Sequence, residues 1–381
     1  MADRLQASFA GSTAELDAAT WNGLAQGADP HGNPFLDHAF FLALEKSGCA
    51  TPRTGWSPRH VVLRDGGEVV GLMPMFEKTH SQGEYVFDHG WANAFEEAGG
   101  RYYPKLQVSL PFTPVTAPKL WSRDPALRPH LLTAAEAHAG GAGNSSIHAT
   151  FVTEDEADLA REAGWLPRTD TQYHWHNQGF GSFDQYLETL SSRHRKVTRR
   201  ERRDALEGLT VRWLSGADLT EAAWDAFFDF YEDTGSRKWG RPYLNRLFFS
   251  LLSEGLGDRV VLMLAYDGTT PIAGSLNLRG TDRLYGRYWG ATRSVPFLHF
   301  ELCYYQAIDY AIAHGLSVVE AGAQGEHKLA RGYVPVATHS VHWIGHPGLR
   351  DAVDRFLRQE RRAVAREQEA LAAFTPFKKG D

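Results

Sequence analysis

LYGRYWGATRSVPFLHFELCYYQAIDYAIAHGLSVVEAGA, residues 284–323, carries the clearest structural signal in the chain. It predicts a strand at 284–291, a helix at 298–314 and a second strand at 317–323, with Gly315 at the cap position after the helix. The helix has one apolar stripe, formed by Leu298, Leu302, Tyr305, Ile308 and Ile312. This alternation of strand and helix is typical of α/β proteins.

The two halves of the chain repeat one order of elements. Residues 59–78 and 259–280 each predict a β-hairpin, because runs of β-branched and aliphatic residues flank an Asp-Gly turn. A helix, a glycine and a strand follow in each half, at 127–152 and 298–323. The first half is longer between these elements by about 26 residues, which we assign to an insert near 79–103.

These features predict two domains joined by a charged segment. The N-terminal domain covers 1–180, a basic helical segment covers 183–215, and the C-terminal domain covers 216–381 and ends in a long amphipathic helix. A chain of 381 residues has a usual length for two or three domains. The sequence leaves the oligomeric state open.

Composition and charge narrow the class of protein. The net charge is −6, which by itself predicts no attraction to nucleic acid or acidic membranes. Cys49 and Cys303 offer neither a disulfide framework nor a zinc cluster. The N-terminus lacks the features of a signal peptide, and no run has the roughly 18 apolar residues of a membrane span. We therefore expect a cytoplasmic protein without a membrane span.

A strongly basic helix is predicted at 191–203, SSRHRKVTRRERR, which holds seven Arg or Lys residues and one Glu. Charges this dense favour an anionic neighbour, so the helix is a candidate for binding phosphate or RNA. The candidate residues are Arg195, Lys196, Arg199, Arg200, Arg202 and Arg203. The alternative is a solvated helix that is neutralised by carboxylates of the same chain.

Two further groups are candidates for substrate binding. A cationic stretch at 236–246 includes aromatic rings, and its candidates are Arg237, Lys238, Trp239 and Arg241. Cations beside rings suit a phosphate joined to a ring or sugar, although core aromatics beside a polar edge give the same pattern. In the insert, Asp88 and His89 can contribute a base from a loop.

The familiar hydrolase, nucleotide and zinc motifs do not occur. The sequence has no GxSxG, GxxxxGK[ST], HExxH or CxxC. His174 and His176 share one face of a predicted strand, but no neighbouring carboxylate or cysteine completes a ligand set. We therefore predict no metal site and interpret this face as a polar strand surface.

The order of elements in the second half resembles the GNAT acyltransferase fold, in which two neighbouring strands splay apart around the acyl donor. Two such domains with a basic helical element resemble the Fem-type peptidyltransferases, which use aminoacyl-tRNA to extend peptidoglycan precursors. Five stretches resemble a Fem-like bacterial family more closely: DHGWANAFEEAGGRYYPKLQVSLPFTPV (88–115), DTGSRKWGRPYLN (233–245), LYGRYWGA (284–291), FLHFELCYYQAIDYAI (297–312) and EAGAQGEHKLARGYVPV (320–336). The resemblance covers nearly the whole chain and implies two tandem GNAT-like acyltransferase domains.

The resemblance also bears on the donor. Acetyl-CoA enzymes of this fold carry an R/Q-x-x-G-x-G/A loop, whose backbone N–H groups hold the pyrophosphate. The corresponding loop here, TRSVPFLHF at 292–300, contains no glycine, and Fem-type domains also lack the motif. The expected co-substrate is aminoacyl-tRNA or acyl-CoA, with no tightly bound cofactor. The expected acceptor is a small-molecule or peptide amine.

The segment GAQGEHKLARGY at 322–333 matches a K-x-x-x-G-[FY] pattern of the Fem-like family through Lys328, Gly332 and Tyr333. A fixed cation close to the developing negative charge lowers the barrier to acyl transfer. The resemblance thus implies that Lys328 stabilises the donor phosphate or the oxyanion, with Arg331 assisting. The candidates for the general base are Glu320, Glu326 and His327, and the candidates that line the same gap are Tyr288, Glu301 and Tyr333.

Other interpretations stay open. Lys328 and Arg331 could belong to a solvated turn, and Glu320 could form a buried structural ion pair. The protein could be a conventional acyl-CoA-dependent N-acetyltransferase. It could also be a non-catalytic module that binds a cell-wall precursor or another anionic ligand, because a fold does not establish a function.

Overall fold

The computed structural model describes residues 5–238, 242–322, 325–372, 374 and 376–378. The chain divides into two compact units: unit 1 contains Met1–Asp170 and Ala337–Arg366, and unit 2 contains Thr171–Val336 and Glu367–Asp381. This division differs from the predicted domains, because residues 337–366 return to unit 1 before the chain ends in unit 2.

The elements of the first part of the chain belong to unit 1. Its strands are β1 (Leu5–Ala10), β2 (Trp56–Pro58), β3 (His60–Asp65), β4 (Glu68–Met73), β5 (Met75–Lys78), β6 (Lys105–Val108), β7 (Trp121–Ser122) and β8 (Ser146–Val152). Its helices are α1 (Ala18–Ala28), α2 (His38–Lys46), α3 (His89–Glu97), α4 (Arg128–Ala142) and α5 (Glu154–Glu162).

Strand β9 (Leu166–His176) leads into unit 2. The helices there are α6 (Phe183–Thr189), α7 (Ser192–Ala205), α8 (Glu221–Lys238), α9 (Arg246–Leu256), α10 (Leu298–Phe300) and α11 (Gln306–Ala313). The strands are β10 (Leu209–Leu214), β11 (Val260–Asp267), β12 (Thr270–Arg279), β13 (Arg283–Ala291) and β14 (Val318–Glu320). Strand β15 (Val334–Ile344) and helix α12 (Pro347–Ala372) follow.

Unit 1 contains two sheet regions, with strand orders β1-β3-β4-β7 and β15-β8-β6-β5-β2. Strands β6 and β8 are parallel neighbours, and the predicted hairpin of β3 and β4 is confirmed. Because side chains alternate along a strand, Leu106 and Val108 enter the apolar core that α4 and α5 cover. Lys105 and Gln107 fall on the opposite face and are also buried.

That polar face is covered by part of the predicted insert. Lys105 Nζ donates to Glu84 Oε2 at 2.7 Å and to Asp88 Oδ2 at 2.5 Å, and Tyr102 Oη donates to the same Asp88 oxygen at 2.7 Å. Lys78 Nζ lies 3.6 Å from Glu84 Oε1. We call these five residues the insert cluster, and all five are buried.

In unit 2 the strand order is β10-β11-β12-β13-β14-β9. Strands β13 and β14 are parallel, but they pair only from Arg283 to Tyr285. Beyond this point β13 continues beside β12, where a register shift leaves Arg287 as an extra residue between Gly286 and Tyr288. The two strands therefore diverge after Glu320, as expected from the resemblance. Parallel and antiparallel neighbours confirm an α/β class with mixed sheets.

The predicted helix at 298–314 is interrupted. Residues Glu301–Tyr305 form a π-helical turn between α10 and α11. The residue before α10, Phe297, has a φ of 62°, and Ser275 Oγ donates to Leu302 O at 3.1 Å. Such π turns are rare and frequently occur at functional sites. Gly315 has a φ of 65°, as a left-handed residue after a helix requires.

Candidate active site

The chain forms a short 3-10 helix, Glu326–Arg331, after β14, and we call it the site turn. Lys328 points back from it, and its Nζ donates to Ala321 O at 2.6 Å and to Gly322 O at 3.0 Å. Lys328 is only 3% exposed. Its ammonium therefore lies immediately beyond β14, where β13 and β14 diverge. Because the side chain is buried, Lys328 does not belong to a solvated turn.

Burial lowers the pKa of Lys328 to about 8. Removal from water disfavours the charged form of an amine, which explains the direction. The ring of Tyr173 lies 5.6 Å from Nζ and offers a weak cation–π contact. Lys328 is thus mainly an ammonium at neutral pH and loses its charge within the mildly alkaline range.

Arg331 holds the site turn onto the basic helix. Its Nη2 lies 2.8 and 2.9 Å from the two carboxylate oxygens of Glu201, and its Nη1 donates to His327 O at 2.7 Å. The guanidinium stacks 3.5 Å from the centroid of Phe300, and Tyr305 Oη donates to Glu201 at 2.6 Å. Glu201 was not among the predicted site residues, although it is the one acidic residue within 191–203 and so was a usable signal.

His327 is paired with a tyrosine from the π turn. Its Nε2 lies 2.9 Å from Tyr304 Oη, and its ring contacts the ring of Phe300. Burial lowers the pKa of His327, and the charges of Arg331 and Lys328 lower it further. Burial raises the pKa of Tyr304, so its hydroxyl keeps its proton. A neutral imidazole beside an ammonium can accept a proton from an incoming amine.

Two of the other predicted carboxylates, Glu320 and Glu301, are engaged in ion pairs. Glu320 is buried, lies 3.1 Å from Arg283 Nη1, and faces His174 Nε2 at 3.9 Å. Glu301 is fully buried and accepts from Arg202 at 2.9 and 3.1 Å and from Gln306 at 2.7 Å. Burial lowers the pKa of His174 to about 3, so this histidine is neutral. The ion-pair interpretation of Glu320 therefore fits its surroundings.

Two tyrosines predicted near the gap lie at different depths. Tyr288 follows the bulge on β13 and is half-buried, with its ring 5.1 Å from that of Tyr231. Tyr333 is fully buried, and its hydroxyl donates to Tyr304 O at 3.3 Å. Tyr333 thus supports the partner of His327.

The basic helix α7 has two unlike faces. Its inner face carries Glu201 and Arg202, and Arg202 Nη2 binds Glu301 at 2.9 Å and Asp309 at 2.5 Å. Arg195 is half-buried. The exposed basic residues are Arg193, Lys196, Arg199, Arg200 and Arg203, which we call the outer face. Arg199 and Arg203 approach Asp184 and Asp204, but such exposed pairs contribute little, and the outer face remains cationic.

The remaining predicted residues lie either in unit 1 or outside the residues that the structure describes. Trp239 and Arg241 lie outside the described residues, as do the side chains of Arg237, Lys238 and Glu326. In unit 1, Asp88 belongs to the insert cluster, and His89 is exposed at the start of α3.

The described residues contain neither a cluster of metal-ligand side chains nor a helix that could span a membrane. In that part of the chain, no three His, Cys, Asp or Glu side chains converge as a metal site requires. No helix among the same residues has both the length and the apolar character to cross a membrane.

The glycine of the K-x-x-x-G-[FY] pattern has a steric role. Gly332 has a φ of 78°, and a Cβ there would lie 2.2 Å from Tyr186 Oη, which donates to Arg331 O at 2.7 Å. We expect Gly332→Ala to cost more than the ~1–2 kcal/mol of a left-handed alanine, because Tyr186 must also move. Urea unfolding measures this cost. Gly268→Ala is the matched control, since Gly268 has a φ of 60° and open space around it. Equal costs for both variants would contradict the steric role.

The chain is similar to known proteins over nearly its whole length. A family model for FemAB-like proteins, described as peptidoglycan biosynthesis/recognition, matches residues 12–379. A search of curated proteins finds no match. The crystal structure of FemX is 12% identical with a TM-score of 0.56, over 89% of this chain and 98% of that chain. The structure of L-PGS from Bacillus licheniformis is 9% identical with a TM-score of 0.50, over 86% and 98%. At these identities the likeness shows the fold alone, and it confirms the predicted fold class.

Proposed function

The chain belongs to the FemAB-like family of peptidoglycan biosynthesis and recognition proteins, and from this premise we propose that it transfers an acyl or aminoacyl group to an amine. The observation that carries the proposal is the buried ammonium of Lys328, immediately beyond β14 at the divergence from β13. A pure binding module does not need a desolvated cation with a lowered pKa at this point.

The chemistry follows from the groups around the divergence. The acceptor amine attacks the carbonyl carbon of the donor ester, a C–N bond forms, and the carbonyl oxygen becomes negative. An ammonium has three N–H donors, and Lys328 uses two on the carbonyls of Ala321 and Gly322. The third N–H can bind the oxyanion. Neutral His327 takes the proton of the attacking amine, the oxyanion collapses as the C–O bond breaks, and the His327 imidazolium returns this proton to the leaving alkoxide.

Aminoacyl-tRNA is the donor that the outer face of α7 supports best. Exposed Arg and Lys residues at positions 193, 196, 200 and 203 follow one side of the helix with spacings of three and four residues. Such a stripe suits a phosphate backbone better than a single small anion. The acceptor that accords with the family is an amine of a peptidoglycan precursor, either a peptide or a smaller molecule.

Binding of bulk aminoacylated tRNA over a salt series tests the donor. Replacement of Lys196, Arg199, Arg200 and Arg203 with Ala should weaken binding and reduce the slope of log K against log salt by about 3, because each lost phosphate contact removes about 0.7–0.9. A matched control replaces Arg355, Arg358, Arg362 and Arg366 on α12, which are also exposed. Equal losses in both variants would mean that only net charge matters.

The same series separates the other candidate functions. Binding of acetyl-CoA without tRNA would indicate an acyl-CoA enzyme that holds its donor without the usual glycine loop. If the protein binds neither acetyl-CoA nor tRNA but does bind a cell-wall precursor, this result would indicate a non-catalytic module and overturn the proposed transfer.

A further inference from the structure

We infer that Glu201 and Arg202 are positioning residues that couple ligand binding on the outer face of α7 to the geometry of the site turn and the π turn. This inference rests on the proposed function for the identity of the ligand, a polyanionic donor. It concerns a role for the inner face of α7 that is separate from phosphate binding.

A short chain of contacts leads from Glu201 to the reacting groups. Glu201 is 6% exposed, and its carboxylate binds Arg331 Nη2, while Arg331 Nη1 donates to the carbonyl of His327. The next residue in the site turn is Lys328. A displacement of Glu201 therefore reaches the backbone that carries both His327 and Lys328, through two hydrogen-bonded steps.

The adjacent residue holds the other wall of the site. Arg202 binds Glu301, the first residue of the π turn, and Asp309 on α11. The last residue of the π turn, Tyr305, donates to Glu201. Between them lies Tyr304, the hydrogen-bond partner of His327. Two neighbouring residues of α7 thus clamp both the site turn and the π turn.

The two faces of α7 are mechanically linked because a helix of this length moves as a unit. Phosphates that bind Arg200 and Arg203 on the outer face would shift the inner face, because Glu201 and Arg202 lie between these two residues in sequence. The π turn Glu301–Tyr305 is the two-state element of this coupling, because a π turn can exchange register with the adjoining α-helix. By linkage, donor binding and the alignment of Tyr304 with His327 then favour each other.

Hydrogen exchange of the full chain tests the coupling without requiring turnover. Saturating bulk aminoacyl-tRNA should slow amide exchange in the site turn of the wild type by at least several-fold. In the double variant Glu201→Gln/Arg331→Met, which removes both buried charges, the same tRNA should still bind, but exchange in the turn should not respond. The single variant Glu201→Gln leaves Arg331 buried without its carboxylate. Comparing its folding with that of the double variant measures the effect of this unpaired charge.

Kinetics give a second readout that a purely structural role would not move. In the double variant, loss of the alignment of His327 and Lys328 should lower kcat by about 100-fold with little change in the acceptor KM. Misplacement of a reacting group by about 1 Å can cost this much. Glu201→Asp, which keeps the charge, should recover part of kcat. An unresponsive site turn in wild type with tRNA bound, or an equal response in the double variant, would overturn the inference.

The failure of the proposed donor can be told apart from the failure of the coupling. If the wild type does not bind tRNA, the donor assignment fails, and inorganic polyphosphate replaces it as the probe of the outer face. Slower exchange in the site turn with polyphosphate would support the coupling. No binding of polyphosphate, or binding without an effect on the turn, would overturn it.

Discussion

Lys328→Met is expected to lower kcat/KM for acyl transfer by about 100- to 1,000-fold, which is the effect of removing one donor that is aimed at an oxyanion. Methionine keeps most of the volume of the buried side chain but lacks the N–H groups that bind Ala321 O and Gly322 O. Circular dichroism and urea unfolding of the variant establish that it folds, and single-turnover assays measure the chemical step. Wild-type activity in a folded Lys328→Met variant would refute the role.

The pH profile distinguishes the charge of Lys328 from its shape. The pKa of this amine is lowered from 10.5 to about 8 by burial, so the ammonium is present below pH 8 and is lost above it. The wild-type rate should therefore fall as the pH rises through about 8. In Lys328→Arg the guanidinium stays charged, so this descending limb should disappear even if the rate is lower. An unchanged limb in Lys328→Arg would assign it to another group.

The same shift has a consequence for stability. Because the folded-state pKa lies below the unfolded value, the unfolded chain binds more protons between these two pKa values. The contribution of Lys328 to the free energy of unfolding therefore increases as the pH rises through that window. Its sign is the same as that of a carboxylate whose pKa is lowered by an ion pair, because in both cases the folded-state pKa lies below the unfolded value.

Lys105→Met is expected to lower the free energy of unfolding by about 3–5 kcal/mol, which is typical when one partner of a buried ion pair is removed. Lys105 is fully buried between Glu84 and Asp88, so its loss leaves two carboxylates in the interior with weaker compensation. Lys78 cannot substitute fully, because it lies 3.6 Å from Glu84 and burial lowers its own pKa to about 7. Urea unfolding measures the loss.

A surface pair provides the control for this loss. Arg123 and Glu68 are 2.8 Å apart but 57% and 72% exposed, so Arg123→Met should cost less than about 1 kcal/mol. The quadruple variant Lys78→Met/Lys105→Met/Glu84→Gln/Asp88→Asn should recover much of the lost stability, since it removes all four charges of the insert cluster together. A cost for Lys105→Met no larger than that for Arg123→Met would contradict the importance of the insert cluster.

Local patterns predicted most of the fold. The Asp-Gly turns determined the hairpins β3-β4 and β11-β12, and the apolar stripe determined the helical region before β14. The π turn could not be predicted, because it depends on tertiary partners: Ser275 bonds Leu302 O, and Arg202 binds Glu301. Helical periodicity alone does not reveal such an extra residue in a turn.

The sequence predicted where the candidate site residues lie along the chain better than which groups they contact. The position of Lys328 beyond β14 follows from the motif, but its burial does not, because a turn rich in charges normally faces water. Arg202 and Arg331 were expected to bind ligand, whereas each is bound to a carboxylate distant in sequence, Glu301 and Glu201 respectively. A single sequence contains no information on which opposite charges meet after folding.

The return of residues 337–366 to unit 1 has a consequence for biosynthesis. Strand β15 pairs with β8, and its Val341 belongs to the apolar core beside β6 and β8. Until the ribosome has passed this strand, β8 presents an open edge and the first unit lacks part of its interior. The N-terminal half of the nascent chain must then wait for its last strand while residues 171–336 are made. Chaperones that protect exposed strand edges would act on it throughout that interval.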